Sequence, residues 1–274
     1  MSADSRRSSP RLVPSACSAD RWVGRAALPG LLLVLLLAGC AGLPSGAPRS
    51  EVVDNHVRLG LAYLKEGNRE AARRHLLRAI DLDPRSAEAN HGMALLLVAD
   101  TEYELADEHF RRALAARPDF TSARNNYAVF LYERGKLEEA YRQYKRASED
   151  LGYSGRPQVF HGLGVVAARL GRREEARAAW EKAIALRPAF ALPYLELAEY
   201  HFEAGEVARA RRYLEAFDRR ASPVPRSLWL WVRIADRLGD RDLLASKGLA
   251  LTKLFPASLE ARRYREQYGD PLGT

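Results

Sequence analysis

The feature that most constrains this chain is a spacing. Taking Pro84, Pro118, Pro188 and Pro256 as equivalent positions divides the sequence into six units that start at residues 53, 87, 121, 157, 191 and 225. Successive starts lie 34, 34, 36, 34 and 34 residues apart. A unit of that length holds two helices and a turn, and cannot bury its apolar face without a neighbour. With the first residue of each unit as position 1, position 8 reads Gly60, Ala94, Ala128, Gly164, Ala198, Val232. Position 20 reads Ala72, Ala106, Ala140, Ala176, Ala210, Leu244. Small side chains at both positions let the two helices of a unit approach closely. Position 15 holds Gly67, Gly135, Gly171, Gly205 and Gly239, with Thr101 the exception, and a left-handed residue there ends the first helix. Position 24 supplies a large wedge in Leu76, Phe110, Tyr144, Trp180 and Leu214.

This is the pattern of the tetratricopeptide (TPR) repeat. It predicts an all-α fold, a right-handed superhelix of six helical hairpins over 53–256. Scarce β-branched residues agree, since isoleucine occurs only at 80, 184 and 234 and threonine only at 101, 121, 252 and 274. Repeat six is degenerate, with Trp231, Leu244, Gly248 and Leu251 at positions 7, 20, 24 and 27. A terminal unit has one neighbour, so its outer face changes character. Residues 257–274 are expected to form a capping helix from about Ser258 to Tyr268, then a tail opened by Gly269 and Pro271. The two extra residues fall in the segment Leu151 to Arg156, where a bend into two three-repeat halves is expected.

Ahead of the repeats the chain reads differently. Five arginines (Arg6, Arg7, Arg11, Arg21, Arg25) precede an unbroken aliphatic run from Leu31 to Ala38. A basic flank and a short greasy core give the order of a signal peptide, here residues 1–39. Eight residues cover roughly 12 Å as helix against a hydrocarbon core of about 30 Å, too short to span. The run ends Leu37-Ala38-Gly39-Cys40, which resembles the bacterial lipobox at all four positions. That resemblance implies a covalent diacylglycerol and an N-acyl chain on Cys40, and no other cofactor. Ala41 rather than Asp implies, by the same resemblance, sorting to the outer membrane and anchoring in its inner leaflet. Arg6-Arg7 lacks the apolar pair of a twin-arginine signal, because Ser8-Ser9 follow. The other cysteine, Cys17, lies upstream of the cut, so no internal disulfide forms in the mature chain. Residues 40–52 read as the acylated cysteine and a flexible linker containing Pro44, Gly46, Pro48 and Ser50, with an end-to-end distance of roughly 20 Å.

Catalytic and metal chemistry find no foothold. His91 and His161 share position 5 but sit two repeats apart, and packed helices lie about 8–10 Å from one another, too far for Zn–N bonds near 2 Å. His75 and His109 at position 23 of adjacent repeats fail similarly. Gly162-Leu163-Gly164 lies inside a helix with no preceding strand, and neither a P-loop nor a metalloprotease motif occurs. The net charge of +8 contains no run of five like charges and interleaves Arg with Glu and Asp, so no nucleic-acid partner is expected. Neither enzymatic activity nor a small-molecule substrate is expected.

What remains is protein binding. The first helix of each repeat lines the concave face, chiefly through positions 2, 5, 9, 12 and 13. Those positions display Val57, Leu61, Leu64, Leu95, Val129, Tyr132, Val165, Leu195, Phe202 and Trp229, punctuated by Asn125, Glu133, Glu199, Arg233 and Arg237. The carboxylate clamp of chaperone-binding repeats is missing, since positions 5 and 9 of repeat one are Val57 and Leu61. An apolar path of this kind suits an amphipathic or extended segment of another protein.

The span from about Val53 to Pro256 also resembles one family. Its marks are the lipobox ending at Cys40, six repeats with no other domain, and three local strings. These are Leu59 to Gly67, Asn125-Asn126-Tyr127 with Phe130-Leu131, and Ser227-Leu228-Trp229-Leu230 followed by Gly239-Asp240 and Phe255-Pro256-Ala257-Ser258. The chain resembles the type IV pilus biogenesis and stability lipoproteins (PilF/PilW), which act as pilotins for the pilus secretin. The resemblance implies an outer-membrane lipoprotein whose partner is the secretin subunit, which it helps to reach that membrane and form its ring. The alternative is a TPR lipoprotein scaffold of outer-membrane protein assembly or of cell-wall enzymes.

Overall fold

The computed structural model describes residues 49–269, which contain thirteen α-helices and no strand. Six helical hairpins follow in order: α1 (Arg49–Lys65) with α2 (Arg69–Leu82), α3 (Ala87–Ala99) with α4 (Tyr103–Ala116), and α5 (Thr121–Glu133) with α6 (Leu137–Ser148). Then come α7 (Arg156–Arg169) with α8 (Arg173–Leu186), α9 (Leu192–Glu203) with α10 (Val207–Asp218), and α11 (Pro225–Leu238) with α12 (Arg241–Leu254). The cap is α13 (Leu259–Tyr268). The odd-numbered helices through α11 are the A helices of the repeats and the even-numbered ones the B helices. One boundary is corrected. Helix α1 begins at Arg49, so residues 49–52, expected to be linker, are its first turn. Cys40, the signal peptide, residues 41–48 and the tail beyond 269 lie outside the described residues.

Every A helix ends in the same way. Residue 15 of each repeat has positive φ, and the next amide donates back to the carbonyl five residues earlier, as in Asn68 N–H to Tyr63 O at 2.9 Å and Lys136 N–H to Leu131 O at 2.9 Å. This is the Schellman closure, for which glycine is suited because a Cβ is unfavourable in the left-handed region. Thr101 adopts it without being glycine, at φ 62°, the one such residue among those described. A β-branched residue there costs about 1–2 kcal/mol. Thr101→Gly is therefore expected to stabilise the chain by about 1 kcal/mol after the added entropy of the unfolded state, raising the melting temperature by roughly 2–4 °C in a thermal melt followed by circular dichroism.

Inside each hairpin, position 8 makes room for position 24. A Cβ on Gly60 would sit 2.7 Å from Leu76 Cγ, and one on Gly164 would sit 2.4 Å from Trp180 Nε1. Repeat six inverts this arrangement: Val232 fills position 8, position 24 is Gly248, and a Cβ there would lie 2.0 Å from the ring of Tyr264 on α13. The cap thus supplies the wedge that the last B helix lacks, and Leu228, Val232, Leu251, Ala261 and Tyr264 form one buried cluster. Ser258 caps α13, accepting from Ala261 N–H at 3.1 Å.

The insertion does not divide the core. One apolar cluster runs from Ala72 through Tyr144, Ala147 and Val159 to Leu197, and Tyr153 of the insertion packs onto it. The added loop folds back as a turn held by Asp150. Its carboxylate accepts from Thr121 Oγ1 at 2.5 Å and from Gly152 N–H at 3.0 Å.

Candidate partner-binding groove

The A helices α1 and α3, α5 and α7, α7 and α9, and α9 and α11 touch, whereas successive B helices make no comparable contact. The B helices therefore fan apart and the A helices line the inside of the curve. Positions 9 and 12 define a path along it. In repeats one to four they are Leu61/Leu64, Leu95/Val98, Val129/Tyr132 and Val165/Ala168. In repeats five and six they become Glu199/Phe202 and Arg233/Asp236. The groove is apolar in its first four repeats and charged in its last two.

The ten sequence-predicted groove residues divide by burial. Val57, Leu195 and Phe202 are buried, at 5%, 2% and 7% exposure, and do not offer a free surface. Val57 belongs to a small core with Val53, Ala79 and Ala89, and Leu195 to a core with Leu214 and Leu230. Position 5 in those repeats faces inward rather than into the groove. Phe202 is covered for another reason, since the guanidinium carbons of Arg233 and Arg237 lie 4.3 and 5.8 Å from its ring centroid. Leu61, Leu64, Leu95, Tyr132, Val165 and Trp229 are half-buried, and Val129 is exposed. The side chains the structure brings together in the apolar half are thus those at positions 9 and 12.

A charged cluster closes the apolar half. Arg226 of α11 donates to Glu196 at 2.5 and 2.9 Å and to Glu199 at 2.5 and 2.7 Å, holding two carboxylates of α9 in one fork. His161 Nε2 stands 3.5 Å from Glu196 and has no hydrogen-bond partner among the described residues. Burial pushes the Glu196 carboxyl up, but the neighbouring His161 and Arg226 outweigh it and bring it down to about 2. Beside this cluster lies a cavity of about 410 Å³ lined by Tyr132, Val165, Ala168, Trp180 and Tyr200. Arg226 was not singled out from sequence, although an arginine at position 2 facing glutamates at positions 6 and 9 of the preceding repeat is visible once the register is set. A larger cavity, about 680 Å³, lies among α8, α9 and α10, where Arg177 and Arg209 are already paired with Glu174, Glu181 and Glu206.

The histidines weighed as ligands pair elsewhere. His75 Nδ1 meets His56 Nδ1 at 3.0 Å, and His109 Nδ1 meets Asn90 Oδ1 at 3.0 Å. His91 Nε2 lies 3.0 Å from the Asn126 amide. Among the described residues, no three His, Cys, Asp or Glu side chains stand close enough to hold a metal ion. Burial pushes the His91 imidazole down to about 4, helped by Arg117. Its folded pKa lies below the ordinary value of 6.5, so the unfolded chain takes up the proton first as pH falls. His91 is thus neutral in both states above about pH 6.5, and it destabilises the fold progressively as pH drops, by about 3 kcal/mol near pH 4. His91→Gln is expected to flatten this part of the stability–pH curve, read from urea melts at stepped pH.

Comparison with known proteins agrees with this geometry. The tetratricopeptide repeat family matches residues 53–86, 91–151 and 157–190. The type IV pilus assembly protein PilF of Pseudomonas aeruginosa is 36% identical over 249 residues, covering 89% of this chain and 98% of PilF. The solved structure of Pseudomonas aeruginosa PilF superposes with a TM-score of 0.75 at 37% identity, over 80% of this chain and 99% of that one. That of PilW, a widely conserved type IV pilus biogenesis factor, gives 0.70 at 25% identity over 78% and 98%. With six hairpins in register, a cap on the last, and a relative of this similarity aligned over nearly its whole length, the chain belongs to the PilF/PilW family of type IV pilus tetratricopeptide proteins.

Proposed function

We propose that this chain is a lipid-anchored pilotin of the outer membrane, which binds secretin subunits and promotes their arrival and multimerisation there during type IV pilus biogenesis. The observation that carries this reading is the apolar path at positions 9 and 12, which begins in repeat one and runs through repeat four. Such a path takes a greasy or amphipathic segment, the kind of surface a membrane-bound ring must hide before it assembles. The lipobox supports the rest. Only residues 41–48 separate Cys40 from α1, so even a fully extended chain keeps repeat one within roughly 30 Å of the acylated cysteine. Acylation gives three chains, more than the two signals that stable anchoring needs. The partner is a protein segment, and no catalytic step is proposed.

Cys40→Ala tests the anchor. The variant is expected to remain an unprocessed precursor, to take up no labelled palmitate, and to leave the outer-membrane fraction, with secretin multimers falling in the same cells. Palmitate incorporation in the variant would falsify the lipobox reading. A deletion that spares twitching motility but depletes assembled porins would point instead to a scaffold of outer-membrane protein assembly.

A further inference from the structure

The charged end of the groove has cations without acids to match them. Arg226 takes Glu196 and Glu199, and Arg173 takes Glu203 at 3.2 Å, so these groove carboxylates are already engaged. Arg233 and Arg237 remain. Both sit on the Phe202 ring, at 4.3 and 5.8 Å, and neither has a carboxylate within 4.0 Å among the described residues. The acid on their own helix, Asp236, forms an ion pair with neither among the described residues. Arg169, at position 13 of repeat four, likewise has no carboxylate within 4.0 Å among the described residues, and it lines the 410 Å³ cavity.

Two guanidiniums on one ring repel each other, and stacking on the aromatic face offsets only part of that cost. Each guanidinium keeps N–H donors that can meet a carboxylate side by side. We propose that Arg233, Arg237 and Phe202 form a docking site for an acidic, extended segment of a partner protein, with Arg169 taking a second carboxylate further along the groove. The cavity that Arg169 lines, floored by Val165, Ala168 and Trp180, receives an apolar side chain of the same segment. A protein segment fits better than an anionic lipid surface, because a flat bilayer cannot follow the inside of the superhelix. Arg233, Arg237 and Phe202 lie in repeats five and six, beyond the apolar path, and the site meets that path only at its repeat-four end, through Val165, Ala168 and Arg169. Its test needs neither pilus nor secretin, so a failure here leaves the pilotin reading standing.

The probe is a fluorescein-labelled glutamate-rich peptide with one central leucine, titrated by anisotropy against the full chain purified in detergent. Saturable binding that weakens with salt is expected. Arg233→Gln combined with Arg237→Gln is expected to weaken it about tenfold or more. Arg233→Lys with Arg237→Lys should fall between, because charge survives and the fork does not. The control is Arg142→Gln with Arg212→Gln, an equal charge loss on exposed B-helix positions, expected to bind within about twofold of the parent. Circular dichroism checks that every variant keeps its helicity. Equal weakening in the control would reduce the effect to the general positive field and overturn the proposal. So would undiminished binding by a lysine version of the peptide, or loss of anionic-vesicle binding in the double Gln variant with peptide binding intact.

Discussion

Ala140→Glu is expected to lower the melting temperature by roughly 10 °C. Ala140 stands at position 20 on α6, is fully buried, and belongs to the main apolar cluster. Its counterparts Ala72, Ala106, Ala176 and Ala210 are equally buried, so the position is defined by the closeness of A and B helices throughout the superhelix. A glutamate there brings three extra heavy-atom shells into a site without volume and a carboxylate without a partner. Together these cost on the order of 3 kcal/mol or more. Arg142→Gln, two residues away and exposed, makes the same one-unit change in charge on the same helix and is expected to change stability by less than about 0.5 kcal/mol. A thermal melt of the two variants side by side checks both. An unchanged transition for Ala140→Glu would mean that the helix register is wrong.

That register was legible because it rests on steric rules repeated through most of the six units. Small residues at positions 8 and 20, a left-handed turn at 15 and a wedge at 24 are each local consequences of one hairpin, and the chain states them over and over. Even the exception at Thr101 was visible, though not that it would adopt the same left-handed geometry as the glycines. The groove was less legible because its surface is made by neighbouring repeats together. Nothing within repeat five says that Phe202 is covered, since the covering groups, Arg233 and Arg237, lie a repeat further on. Val57 and Leu195 at position 5 look like groove residues on a helical wheel, yet the adjacent helices absorb them into small cores. The Gly248–Tyr264 exchange escaped for the same reason, as a glycine in a degenerate repeat reads as decay until the cap is seen resting on it.

Leu61→Lys combined with Leu64→Lys is expected to abolish secretin multimers in cells while leaving the chain helical and at its usual membrane. The two leucines occupy positions 9 and 12 of repeat one, the start of the apolar path and the part nearest Cys40 in sequence. Both are half-buried. Leu61 Cδ2 lies 3.3 Å from where a Cβ on Gly92 would stand, so its inner side rests on α3, and Leu64 packs at the edge of the main core. A lysine stem can cover the same apolar surface while its ammonium reaches the open groove, which is why the fold should survive at a cost of about 1–2 kcal/mol. The path itself does not survive, since two ammonium groups now stand where a greasy segment would lie, and desolvating them on binding is costly. Val57→Lys supplies the contrast. That residue is 5% exposed within its own small core, has no groove to reach, and should unfold repeat one rather than merely silence it. The readouts are heat-stable secretin multimer on a gel, far-ultraviolet circular dichroism, and membrane fractionation. Parental amounts of multimer in the double variant would exclude repeat one as the secretin site. A collapse of helicity in the double variant like that expected of Val57→Lys would show that Leu61 and Leu64 belong to the core.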